Sequence, residues 1–176
     1  MIAQKDTVEW MQNGQYKLSG QVDERGRKIG VWYKNVKDGR LREMTEYYDD
    51  SLFTLTIYRF LYPNDIEQKM SGYIDSHGNE VVNGLFIRYG KGGRIISISN
   101  VVNGLFDGIS VSYYDDGILY SVQNYDRGII NGGFSKYYSS GMVMEQGKYI
   151  DDYKTGVWVE FYENGKRKYK DHTRRV

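Results

Sequence analysis

Apolar and polar residues alternate along several short stretches of the chain, each with a pair of turn-forming residues at its midpoint. Alternation over four to eight residues is typical of a β-strand with one covered face. One set of alternate positions is mostly aliphatic and predicts the face that forms the core: Leu85, Ile87, Tyr89; Ile109, Val111, Tyr113; Val157, Val159, Phe161. No segment has a helical period, so the pattern predicts an all-β protein.

The strand pattern repeats with a fixed period. Gly84, Gly108, Gly132 and Gly156 are 24 residues apart, and each is followed nine positions later by a second glycine. Looser copies precede them. Seven units therefore begin near residues 5, 30, 56, 84, 108, 132 and 156. Self-similarity at such a period is the signature of a repeat architecture.

The midpoint pairs predict hairpin turns, because Asn, Asp and Gly tolerate the positive φ angles that a two-residue type I′ turn requires. The pairs are Asn13-Gly14, Asp38-Gly39, Asn64-Asp65, Gly92-Gly93, Asp116-Gly117, Ser140-Gly141 and Asn164-Gly165. Six structural glycines thus lie in turns: Gly14, Gly39, Gly93, Gly117, Gly141 and Gly165. Two-residue turns would place Lys34 opposite Glu43 and Lys136 opposite Glu145.

A single hairpin cannot bury its apolar face, whereas stacked hairpins can. The sequence therefore predicts one repeat domain over residues 1–176, an open, twisted antiparallel array of about seven stacked β-hairpins. Residues 51–82 break the regular spacing and contain the only proline, Pro63. Bulging connections are expected there, at Leu52-Phe53 and from Asp75 to Val82.

Composition narrows the functional classes. The 176 residues include no cysteine, which excludes disulfides, thiolate zinc sites and cysteine nucleophiles. A net charge of +1 gives no overall attraction for nucleic acid. No apolar run approaches the roughly 20 residues of a membrane-spanning helix. The first residues, from Met1, form no intact secretory signal, so the sequence as written predicts a cytoplasmic protein.

The repeat unit resembles a known family. The pattern Gly-x-Trp-x-x-[Phe/Tyr]-Tyr-x-x-Gly, with a later Tyr, is similar to the bacterial MORN-repeat variant of YwqK-like proteins. The best copies run over 156–169, 132–149 and 108–125, and 23–32 is similar to the entry into a repeat. Asn35-Val36, Gly90 and Ser110 depart from the pattern. The resemblance implies an elongated hairpin array used for binding or scaffolding, and many members are described as antitoxins.

Aromatic side chains recur at two positions of the repeat and are the candidate partner-binding residues. They are Trp32, Tyr58, Phe86, Phe134 and Trp158 at one position, and Tyr114, Tyr138 and Tyr162 at the other. Tyr and Trp are enriched at protein interfaces. The alternative is that these rings only pack on neighbouring repeats. Trp158 is expected to be the least covered tryptophan of the repeats.

Basic residues concentrate at the C-terminal end, with Asp171 the only acid among them. They are Lys166, Arg167, Lys168, Lys170, Arg174 and Arg175, together with His172. The segment is either a solvated end that keeps the last strand from pairing with other sheets, or a patch for an acidic partner, anionic lipid or nucleic acid.

Candidate catalytic and metal-binding residues are few. The histidines are His77 and His172, and the paired carboxylates Asp49-Asp50, Asp115-Asp116 and Asp151-Asp152 fall in turns or connections. Carboxylates in turns usually bind nearby backbone N–H groups. The sequence therefore predicts no enzyme, no metal and no cofactor.

Two hypotheses follow. The first is a non-enzymatic hairpin-repeat scaffold that binds a partner protein, with an antitoxin or immunity role as its most specific form. The second is an exported cell-envelope or membrane-surface protein that contacts anionic lipid or an envelope partner, with Met1 replacing a removed signal peptide. The sequence leaves the partner and the oligomeric state open.

Overall fold

The computed structural model describes residues 5–11, 14–48, 51–58 and 66–168, of which the side chains of residues 10 and 56–58 are not described. Every regular element in these ranges is a β-strand, so the predicted all-β class is confirmed. The strands are β1 Lys5–Met11, β2 Tyr16–Val22, β3 Lys28–Val36, β4 Leu41–Tyr47, β5 Leu52–Tyr58, β6 Ile66–Ile74, β7 Glu80–Tyr89, β8 Ile95–Val102, β9 Leu105–Tyr113, β10 Leu119–Asp126, β11 Ile129–Tyr137, β12 Val143–Ile150, β13 Tyr153–Phe161 and β14 Arg167–Lys168.

The chain divides into two compact units, Met1–Gly93 and Arg94–Val176. The first contains β1 to β7 and the second β8 to β14. Within each unit every strand pairs antiparallel with the next strand along the chain, and the sheet stays open. Consecutive antiparallel pairing is what the hairpin repeat predicts.

The turns at the repeat midpoints have three residues rather than two. In the turn after β9, the Gly117 N–H donates to the Tyr114 carbonyl (2.9 Å) and the Tyr114 N–H donates to the Ile118 carbonyl (2.8 Å). Gly117 has φ +89°, whereas Asp116 does not have a positive φ. This is a type I turn followed by a left-handed glycine that forms a bulge. The type I′ prediction is therefore wrong for these turns.

The same turn recurs, with one exception. Matching hydrogen-bond pairs close the turns that end in Gly39, Gly141 and Gly165. Gly92-Gly93 differs, since both of its φ angles are positive. Gly14 also has a positive φ, but Asn13 and the pair Asn64-Asp65 lie outside the described residues.

Two-residue turns with positive φ at both positions do occur, in the connections between repeats. They are Asn103-Gly104, Arg127-Gly128 and Asp151-Asp152, with φ between 48° and 88°. The two kinds of turn therefore alternate along unit 2. One kind lies at the midpoint of a repeat, and the other joins one repeat to the next.

The predicted register is confirmed despite the different turn. Lys34 pairs with Glu43, and their side chains form a salt bridge of 3.0 Å. Lys136 pairs with Glu145, although Glu145 makes its salt bridge with Lys154. The register shifts between Lys136 and Tyr137, because Met144 of β12 is an extra residue without a partner in the pairing. This bulge in the strand offsets the extra residue of the turn and restores the predicted register.

The expected bulging connections of residues 51–82 are wrong where the structure describes them. Leu52 and Phe53 lie in β5 and pair with Tyr73 and Gly72. Residues 75–79 form a tight turn, with the Asp75 N–H donating to the Asn79 carbonyl (3.0 Å), and β7 begins at the next residue. Pro63 is outside the described residues.

The core of unit 1 is aromatic. Trp32, Tyr47 and Phe53 are buried, and the partly buried Leu18, Val22, Leu55 and Ile74 pack against them. The aliphatic positions expected to form the core are exposed at their first members: Leu85 by 55%, Ile109 by 59% and Val157 by 78%. That expectation is wrong, because the large rings on the other face already cover the backbone of the neighbouring strands, and among the described residues no second layer covers the aliphatic face.

Candidate binding surfaces

The two tryptophans of the candidate set differ in exposure. Trp32 is 2% exposed and donates its indole N–H to the Gln21 carbonyl (2.9 Å), so it belongs to the core and offers no surface. Trp158 is half-buried. The Phe134 ring lies 5.6 Å from it, and the Lys154 ammonium lies 4.1 Å from its centroid.

The tyrosines at the second repeat position are fixed to the next repeat. The Tyr114 hydroxyl donates to the Tyr137 carbonyl (2.7 Å), and the Tyr138 hydroxyl donates to the Phe161 carbonyl (2.9 Å). Tyr162 is instead 54% exposed, with the Lys168 ammonium 5.2 Å from its ring centroid. The three tyrosines are therefore not three equivalent sites.

The remaining predicted residues are placed only in part. Phe86 and Phe134 are half-buried, and the side chain of Tyr58 is not among those described. Lys166 and Arg167 are exposed and Lys168 is half-buried, whereas Lys170, Arg174 and Arg175 lie outside the described residues. The predicted basic patch is thus described only at its beginning.

Carboxylates in turns accept hydrogen bonds from backbone N–H groups of the same turn. Asp75 accepts the backbone N–H groups of His77 and Asn79, both at 2.8 Å. The Asn79 N–H in particular holds the pKa of Asp75 below its ordinary value. Asp23 accepts the Arg27 backbone N–H (2.9 Å) in the turn before β3, and its pKa is lowered in the same way. His77 is exposed at the rim of its turn.

A row of exposed apolar side chains in unit 2 was missed by the sequence analysis. Its members, called the apolar row below, are Leu105 (50% exposed), Ile109 (59%), Ile129 (42%), Tyr153 (78%) and Val157 (78%). Leu105, Ile129 and Tyr153 begin β9, β11 and β13, so each directly follows a two-residue turn. The signal was present in the sequence, since these three positions are 24 residues apart.

The apolar row continues from one repeat to the next. A Cβ placed on Gly128 would lie 3.5 Å from Leu105 Cδ2, so Leu105 lies beside the turn that precedes Ile129. The Asp152 N–H donates to the Ile130 carbonyl (3.0 Å), which brings the start of β11 beside the turn that precedes Tyr153. A shallow groove of about 530 Å³ borders the row, with Val157 and Val122 among its lining residues.

Three polar side chains meet in unit 1. The Tyr47 hydroxyl donates to Glu80 in a short hydrogen bond, and the Lys28 ammonium lies 3.3 Å from that hydroxyl and 4.0 Å from Glu80 Oε1. Burial, followed by the Glu80 carboxylate, raises the pKa of Tyr47 far above its ordinary value. Tyr47 is therefore a permanent hydroxyl donor and not a base. No sequence motif joins these three residues.

Comparison with known proteins does not identify the chain. No protein-family model matches it, and no curated protein matches it significantly. The resemblance to the MORN-repeat variant stays a prediction. In the part of the chain that the structure describes, no three His, Asp or Glu side chains gather as a metal site. Those same ranges also hold no helix that could cross a membrane.

Proposed function

We propose that the chain is a non-catalytic binding module that docks a partner protein on the apolar row. The observation that carries this proposal is the exposure, 42 to 78%, of five apolar side chains on β9, β11 and β13, every second strand of unit 2. Scattered apolar residues are normal on a protein surface, but a contiguous set marks an interaction site.

The docking surface is rigid and repeats along the sheet. Its side chains stand at fixed positions of every second strand rather than on a loop, so little order is lost on binding. Burial of apolar side chains on a partner supplies roughly 25 cal/mol per Å² removed from water. An antitoxin or immunity protein is the most specific form of such a module. Identification of the partner would show whether the chain has that role.

Two matched double variants test the proposal. Tyr153→Lys with Val157→Lys places charges in the apolar row, and Tyr48→Lys with Val8→Lys makes the same exchanges at exposed positions of unit 1. All four side chains are exposed, so both variants should keep the wild-type urea midpoint.

The variants are used as bait in a lysate of the organism that encodes the chain. The partner is a protein retained by the wild type and the unit 1 variant but lost from the row variant. Titration with that purified partner should show at least tenfold weaker binding to the row variant, about 1.4 kcal/mol, and at most a twofold change for the unit 1 variant. Equal retention by both variants would exclude the apolar row as the docking surface.

A further inference from the structure

A pocket of about 460 Å³ lies in unit 1, between the turn that precedes β3 and the turn that precedes β7. Arg27 in the first turn and Lys28 at the start of β3 line one side, Asp75 in the second turn and Glu80 at the start of β7 line the other, and Tyr47 forms part of the wall. This volume is in the range of small-molecule sites, roughly 300–1,000 Å³. The pocket shares no residue with the apolar row.

The charges around this pocket are separated by side. Arg27 and Lys28, on the side where β3 begins, are basic. Asp75 and Glu80, on the side where β7 begins, are acidic. Arg27 is held in place by Asp23, with Nε 2.8 Å and Nη2 2.6 Å from Asp23 Oδ2. Lys28 and Glu80 approach each other to 4.0 Å, so the cationic and anionic sides meet there.

The anionic side of the pocket is held in place by hydrogen bonds. Backbone N–H groups of its own turn hold the Asp75 carboxylate and lower its pKa. Glu80 accepts a hydrogen bond from the buried Tyr47 hydroxyl, which fixes one of its oxygens. Ile74, a partly buried neighbour of the aromatic core, adds an apolar part to the lining beside the Tyr47 ring.

We propose that this pocket binds a small zwitterion of the amino-acid class with an apolar side chain. The ligand carboxylate pairs with Lys28, at the side of the pocket where Arg27 also lies. The ligand ammonium pairs with Glu80, at the side of Asp75. The apolar body of the ligand packs on Ile74 and the Tyr47 ring.

A ligand with both charges fits better than one with a single charge. The four charged lining residues sum to zero, so a purely anionic or cationic ligand would be attracted by one side of the pocket and repelled by the like charges of the other side. A charge held near like charges and partly removed from water is costly unless an opposite charge compensates for it. Discrimination therefore arises from the side that repels a singly charged ligand.

Three compounds with the same isobutyl group test the proposal on the full chain. They are L-leucine, 4-methylpentanoate, which lacks the ammonium group, and 3-methylbutylamine, which lacks the carboxylate. Isothermal titration should show leucine binding at least tenfold more tightly than either analogue. Leucine that binds no more tightly than the analogues, or does not bind at about 10 mM, would overturn the proposal.

Variants assign each charge to its side. Lys28→Met should weaken the binding of leucine and 4-methylpentanoate at least tenfold and leave 3-methylbutylamine unchanged. Glu80→Gln should weaken leucine and 3-methylbutylamine and leave 4-methylpentanoate unchanged. Lys37→Met and Glu163→Gln are the matched controls on exposed residues outside the pocket.

The ratio of the dissociation constants of the three compounds distinguishes a lost contact in the pocket from a general loss of folding, which would weaken the binding of all three equally. Ratios that are unchanged in both variants would overturn the assignment. This test of the pocket does not depend on the proposed docking of a partner protein on the apolar row. The row variant Tyr153→Lys with Val157→Lys should therefore bind leucine like the wild type.

Discussion

The indole ring of Trp32 lies directly over Gly20 on the neighbouring strand. A Cβ atom on Gly20 would come within 2.4 Å of the ring, and the indole N–H donates to the carbonyl of the next residue, Gln21. Trp158 and Gly147 repeat this arrangement in unit 2, where the corresponding approach is 2.3 Å. The ring thus covers a backbone that has no side chain of its own, a pairing known to stabilise glycines in sheets.

Gly20→Ala should therefore destabilise the protein, by roughly 1–3 kcal/mol, because the added methyl group forces a buried ring to move. Gly133→Ala is the control, since the nearest atom to its Cβ would be Asn124 Nδ2 at 3.7 Å, an ordinary contact. Urea unfolding of both variants measures the difference. Equal free energies of unfolding would show that the Trp32 ring does not need the glycine.

Arg127→Asn should stabilise the protein by roughly 0.5–1 kcal/mol. Arg127 has φ +48° in a two-residue turn, a conformation that asparagine adopts at lower cost than arginine. Ser140→Asn tests the reason, because Ser140 precedes a turn glycine but does not have a positive φ and should gain nothing. Thermal melts of the two variants should differ in sign or size, and a matching gain at both positions would contradict the turn assignment.

Tyr114→Phe and Tyr138→Phe should each lower the free energy of unfolding by about 0.5–1.5 kcal/mol, the usual net worth of a hydrogen bond. Each removes a hydroxyl that donates to a carbonyl of the next repeat. Tyr153→Phe, at a ring that is mostly exposed, should change the free energy by less than about 0.5 kcal/mol. Equal effects at all three positions would mean that the inter-repeat bonds contribute nothing.

Resistance to urea should fall as the pH drops below about 4. The pKa values of Asp23 and Asp75 are lowered by backbone N–H groups, and that of Asp38 by the Arg40 guanidinium. A carboxyl whose pKa is lower in the folded state stabilises that state above the unfolded value of 3.8, and this contribution is lost as the pH falls through the folded value.

Replacing these three aspartates by asparagine should flatten that dependence, because asparagine keeps an acceptor oxygen but does not titrate. Urea midpoints of the wild type and the triple variant at about pH 6 and pH 3 give the comparison. An unchanged loss in the triple variant would place the acid sensitivity elsewhere.

The period of the sequence was enough to predict the strand order and the register. The spacing from Lys34 to Glu43 fixes their pairing whichever turn joins their strands, because the bulge compensates for the longer turn. The turn type could not be read in the same way. A glycine at position 117 satisfies both the second residue of a type I′ turn and the last residue of a three-residue turn, since both need a positive φ.

The alternation of apolar and polar residues could not predict which face of the sheet is covered or where the candidate sites lie. Alternation shows that the two faces of a strand differ, but the size of the side chains decides which face is covered. The large Trp32 ring is buried, whereas the first aliphatic positions of the other face are exposed. The pocket residues Lys28, Tyr47 and Glu80 are brought together only by strand pairing across the sheet. Their separations in the sequence match no motif.

The hydrogen bonds of the tyrosine hydroxyls affect how the number of repeats can change during evolution. Tyr114 and Tyr138 each reach a carbonyl 23 residues further along the chain, at Tyr137 and Phe161. Loss of residues 115–138, one period of 24, would place Phe161 at that same distance from Tyr114 and supply an equivalent acceptor. Loss of a number of residues that is not a whole number of periods would leave the hydroxyl opposite the wrong carbonyl. Unequal recombination can therefore lengthen or shorten this gene in whole hairpins while every surviving tyrosine keeps an acceptor.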